Sequence, residues 1–165
     1  MKGILRSAIV CLYVFSALAI GQSSSTVQID AKNLDAHIDH FLAFDQELHK
    51  MSSTAKPDDS KIVDALNQDA TQTTDHLMAV ETMITMFNNI QSKPDRDRTR
   101  PILLAYLGLN SEYSEKQADR VASTARQSNT PDIKQIASKM QNELHVSVLT
   151  LKTITLMIQL EATGK

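Results

Sequence analysis

The stretch VDALNQDATQTTDHLMAVETMITMF, residues 63–87, decides the fold. Val63, Leu66, Ala70, Thr73, Leu77, Val80, Ile84 and Phe87 follow one another in alternating steps of three and four. In an α-helix that spacing stacks the side chains along one face, and a strict seven-residue repeat keeps the face turned to a neighbour along its length. The pattern predicts a straight helix of about 35 residues, over about 58–92, crossing its neighbours at roughly 20° with a left-handed sense. It stops near Lys93-Pro94, where the residue before proline is pushed out of the helical region.

Working outward toward the N-terminus, Leu34, Ile38, Phe41, Leu48 and Met51 share one helical face, widened by Leu42 and Phe44. They predict a helix over about 30–52. Ser52 to Ser60, with Lys56-Pro57-Asp58-Asp59, reads as a loop leading into a helix start.

Toward the C-terminus, Lys93, Asp95, Arg96, Asp97, Arg98 and Arg100 crowd one short stretch, which reads as a solvated connection. Pro101 then suits the first turn of a third helix, over about 100–127. Gly108, Asn110 and Ser111 raise the question of a break. Continuity is preferred, because no proline intervenes and one interior glycine costs only ~1 kcal/mol. The far half of this helix offers a core only Tyr113, Ala118, Val121, Ala122 and Ala125, so it is expected to be the least buried. Thr130-Pro131-Asp132 is the strongest helix start: a capping hydroxyl, a proline at the first helical position and an acid at the positive end of the dipole. The fourth helix, about 131–162, carries Ile133, Ala137, Met140, Leu144, Leu151, Ile154 and Ile158 along one seam, with Ser147 at its centre. Val146-Ser147-Val148 and Ile154-Thr155-Leu156 alternate like strand, but nothing punctuates the chain here and an unpartnered strand would leave its backbone bonds unmade.

The expected fold is therefore all-α: an up-and-down antiparallel four-helix bundle, left-handed and heptad-packed, occupying 30–163 as a single domain. Ahead of it, Lys2 and Arg6 precede an apolar run from Ala8 to Ile20, followed by Ala19-Ile20-Gly21. That layout is a secretory signal peptide over 1–21, cleaved between Gly21 and Gln22, with 22–29 a disordered mature N-terminus. The expected localisation is secreted or periplasmic, with no transmembrane segment after cleavage. The only cysteine, Cys11, lies in the leader, so packing alone must hold the mature fold together. Loss of Lys2 and Arg6 takes the formal charge from −2 to −4, which supplies no basic field for nucleic acid. The absence of Trp and the 4% aromatic content remove stacking platforms as well.

Chemistry-bearing clusters are sparse. His37 and His40 stand three apart, face one side of the first helix and have Asp35 and Asp39 nearby, but no third ligand can be read from the sequence, and they read as a polar flank. No Glu-x-x-His is present for a di-iron centre; Glu143 and His145 point about 200° apart. His49-Lys50-Met51 and His76-Leu77-Met78 diverge in the same way. Met78, Met83, Met86 and Met140 read as core filling. Ala70, Thr73 and Ser147 mark a level where helices approach closely or leave a small hollow. No nucleophile elbow, phosphate loop or His-Glu-x-x-His helix occurs, so no enzyme is expected and no residue is assigned a catalytic, cofactor or metal role.

The unusual feature is the apolar richness of Leu144 to Leu160, where Val146, Val148, Leu149, Leu156, Met157 and Leu160 lie outside the seam. A bundle helix normally buries one stripe, so this surplus suggests a non-enzymatic interaction protein that engages a protein partner, a second copy, a lipid or another hydrophobic ligand. The alternative is an exported metal or haem carrier using His37 and His40, or His76 with methionine.

Overall fold

A computed structural model describes residues 28–163. Four helices follow in order: α1 (Lys32–Ser52), α2 (Pro57–Asn88), α3 (Lys93–Ala125) and α4 (Pro131–Thr163). No strand occurs among the described residues, and the arrangement is consistent with a four-helix bundle. Each helix packs on the next, and α1 returns to α4. The expected leader and cleavage site, and residues 22–27, lie outside the described residues.

The seam that decided the fold is the core. Val63, Leu66, Ala70, Thr73, Leu77, Val80, Ile84 and Phe87 are all buried, as are Ile133, Ala137, Met140, Leu144, Ser147, Leu151, Ile154 and Ile158 on α4. Each large aliphatic or aromatic side chain so removed from water contributes about 1.5–3 kcal/mol. Thr73 and Ser147 donate their hydroxyls back to the carbonyls of Asp69 and Leu144, so the small residues at mid-seam satisfy their polar atoms within their own helices.

Pro57 and Pro94 open α2 and α3, where the missing N–H removes no intrahelical bond. Asp58, Asp59, Asp95 and Asp132 place negative charge in first turns, against the positive dipole ends. Thr130 does more than its sequence position suggested. Its hydroxyl and that of Ser128 donate to the two oxygens of Asp59, each over 2.6 Å, and so tie the α3–α4 turn to the start of α2.

The third helix corrects the sequence reading most. It begins at Lys93, so the charged stretch expected to be a solvated connection is helix, and Pro101 sits inside it rather than in its first turn. An interior proline costs about 3 kcal/mol or more. Tertiary contacts offset this. Arg96 is only 2% exposed; its Nε donates to Glu161 over 2.5 Å, one Nη donates to the Phe87 carbonyl over 2.8 Å, and its guanidinium lies 4.1 Å from the Phe87 ring centroid. One buried cation thus closes the exposed carbonyl end of α2 and pins the end of α4. The helix passes Gly108 without interruption. Its far half is more buried than expected, because Ser111, Ser114 and Gln117 join Ala118 and Val121 inside.

Among the described residues, Ile29 lies within the segment expected to be disordered but is packed. Ile29 is buried, and the Asn88 side chain holds both its N–H and its carbonyl over 2.9 Å, as a strand neighbour would. On α1, Phe44 is partly buried against the core, but Leu42 is exposed and does not widen the core face.

Candidate functional site

His37 lies next to Ile38 and four residues before Phe41, so the turn that buries those two carries the imidazole under the edge of α4. Of the two forms expected for this polar flank, solvated or paired with acids, the second holds for His37, which is buried. Its Nδ1 is 2.5 Å from Oε1 of Glu143, and its Nε2 is 2.8 Å from the Thr150 hydroxyl. One turn on, His40 is 59% exposed and turns its Nδ1 to the same Glu143 oxygen over 2.9 Å. Two imidazoles on α1 therefore converge on one carboxylate oxygen of α4, and a ligand atom from each of the three residues lies within 4.8 Å of the others. Asp35 and Asp39, the acids near these histidines in sequence, are exposed and outside this cluster.

Glu143 is the member of this cluster that the sequence reading did not bring to the histidines. Glu143 and Thr150 are seven apart, on the row of α4 directly beside the buried Leu144–Leu151 row. That row faces a neighbouring helix in any heptad bundle, so an acid there was the available signal. Which neighbour, and at what height, depended on α1 returning to α4.

A second region is apolar. Val146, Leu149, Leu156 and Leu160 are 48%, 64%, 58% and 54% exposed, on the side of α4 opposite the buried seam. With the exposed Thr153 they advance in steps of three, four, three and four. The surplus apolar surface expected from sequence is thus a second heptad stripe, turned to solvent. Val148 and Met157 are the exceptions: Val148 is buried, and Met157 is partly buried against the core.

The remaining polar interior is structural in character. Asp69 is buried on α2 and paired with Arg120, whose Nε is 3.2 Å from its Oδ1. Burial pushes its carboxyl above the ordinary range; the Arg120 charge and the Gln117 amide pull it partly back. Burial, reinforced by the Asp69 charge, pushes the Tyr113 phenol up to about 12, so it stays protonated at neutral pH. Its ring stacks on His76 with centroids 4.0 Å apart, and His76 Nδ1 is 3.2 Å from Asn110 Oδ1. The ring face and one nitrogen of His76 are thus occupied by α3. Met83 and Met140 lie in the core, while Met78 is half-exposed.

Comparison with protein-family models, curated proteins and solved structures finds no match. Among the described residues no helix is long and apolar enough to cross a membrane.

Proposed function

We propose that the chain is an exported, non-enzymatic interaction protein, an up-and-down antiparallel bundle with left-handed heptad packing, whose α4 outer face joins a second copy of itself. The exposed stripe Val146, Leu149, Leu156 and Leu160 carries this reading. Counted with Thr153 at its centre, the stripe has the 3-4-3-4 spacing that seats one helix against another, whereas scattered exposed apolar residues need no explanation. A second copy suits it because the stripe is self-complementary. A two-fold axis at Thr153 brings Val146 opposite Leu160 of the partner subunit, and Leu149 to within one residue of the level of Leu156 of the partner subunit. Lys152, the one Lys or Arg between Leu144 and Leu160, is held by Glu115 of its own α3 over 2.8 Å and does not oppose the pairing. The stripe is about 21 Å long at 1.5 Å per residue. Two such stripes bury less than ~1,200 Å², the low end of specific interfaces, so the association is weak and concentration-dependent. The charged start, apolar run and small-residue site before Gln22 support export.

Sedimentation equilibrium on the chain from Gln22 tests the proposal. A monomer–dimer equilibrium is expected in the 10 µM to 1 mM range, abolished by Leu149→Glu with Leu156→Glu while helicity is kept. A wild-type monomer at 1 mM overturns it. So does a variant that dimerises equally, or lipid or dye binding through this face without self-association.

A further inference from the structure

We propose that His37, His40 and Glu143 form a binding site for a divalent first-row transition ion of the zinc(II) or copper(II) kind. The inference is independent of self-association, since the site lies between α1 and α4 and not on the outer face of α4.

The donor set decides the class of ion. Two imidazole nitrogens and one carboxylate suit zinc and copper; calcium and magnesium demand mostly oxygen ligands. Three protein ligands leave a fourth position for water, the arrangement of an exchangeable site rather than a closed structural one. The present spacings of 2.5 and 2.9 Å from Glu143 Oε1 to the two Nδ1 atoms are those of direct hydrogen bonds. A tetrahedral ion with bonds of about 2.0–2.1 Å holds its ligands roughly 3.3 Å apart. Glu143 must therefore draw back by under ~1 Å, which rotation of its side chain supplies. The ion takes the place of the protons between the two Nδ1 atoms and Glu143; a neutral imidazole then keeps its one proton at Nε2, and an imidazolium releases its second to solvent.

Two further features fit an ion. His37 Nε2 is 2.8 Å from the Thr150 hydroxyl. With Nδ1 on the metal, Nε2 carries its proton and donates it to Thr150, the outer contact that fixes a ligand ring's tautomer and orientation. His40 is more than half exposed while His37 is buried, so the site has both an entry path and an anchored wall.

Isothermal titration of the full chain with zinc(II), and separately copper(II), tests the site. One equivalent is expected to bind, with copper the tighter. His40→Ala, an exposed change that leaves the packing intact, should weaken zinc binding at least 100-fold. Thr150→Val should weaken it about 10–100-fold without touching a ligand. A tenfold excess of calcium or magnesium should leave the zinc isotherm unchanged. Absence of a 1:1 zinc isotherm overturns the proposal, as does His40→Ala binding as tightly as wild type or competition by calcium. Thr150→Val with unchanged affinity overturns the role given to that residue. Leu149→Glu with Leu156→Glu should bind zinc as wild type does, which separates failure of this site from failure of the dimer.

Discussion

Replacing Arg96 with Met is the most demanding test of how this fold is held. Methionine keeps much of the volume and the apolar stem but removes the cation. Arg96 and Glu161 have side chains 3% and 9% exposed, so the substitution strands a carboxylate that water reaches poorly. Breaking a buried pair by deleting one partner costs about 3–5 kcal/mol. Here the lower end applies, because Arg100 Nη2 lies 3.6 Å from the other Glu161 oxygen and supplies residual attraction. The loss also includes a bond to the Phe87 carbonyl and the cation–π contact with the Phe87 ring. We therefore expect about 3 kcal/mol, or roughly a 10 °C fall in Tm for a domain of this size. Urea unfolding followed by circular dichroism measures it. Arg96→Lys should recover only part, since an ammonium cannot serve the carboxylate, the carbonyl and the ring at once. A double-mutant cycle with Glu161→Gln should show coupling of about 1.5 kcal/mol or more. If Arg96→Met falls within 1 kcal/mol of wild type, or the cycle shows no coupling, the clamp is not what keeps residues 93–100 helical.

Two other outcomes are expected. The Ser128 and Thr130 hydroxyls hold the Asp59 carboxyl below its ordinary value of 3.8. A carboxyl depressed in the folded state stabilises above the unfolded value, and that contribution fades as pH falls through the folded one. The stability gap between wild type and Asp59→Asn should therefore shrink from pH 7 to below pH 3 in urea titrations; a pH-independent gap refutes the assignment. Gly108→Ala should stabilise by about 0.5–1 kcal/mol, since a Cβ there meets nothing within 4 Å and the position is mid-helix. An unchanged or lowered urea midpoint would contradict it.

The rows of apolar residues on α2 and α4 were legible because a heptad states its own geometry: every position of the Val63–Phe87 seam is buried. What misled was reading charge as exposure. Arg96 sits among five other charged residues within Lys93–Arg100, and sequence carries no sign that Glu161, 65 residues on, will meet it. The same blindness hid the partner of His37, which lies 106 residues away. Pairings between helices depend on which faces meet and at what height, and periodicity within one helix fixes neither. Thr130 carries a pairing of the same kind: its position before Pro131 is that of a cap, and its hydroxyl also donates to Asp59, 71 residues back, in a charge-assisted bond that no local pattern announces.

The fourth helix presents three parallel rows with separate tasks. Leu144, Leu151 and Ile158 fill the core; Glu143 and Thr150 face α1; Leu149 and Leu156 face solvent. Each row repeats at seven residues, so each keeps its direction along the helix, and a change in one leaves the others in place. Sites that share no partner add independently, to within about 0.3–0.5 kcal/mol. Polar substitutions on the outer row should therefore alter association and leave the urea midpoint nearly unchanged. Substitutions on the α1-facing row should alter what His37 and His40 can hold. Only the inner row should unfold the protein. The outer row adds little burial within one chain, and under the proposed self-association a second copy covers it.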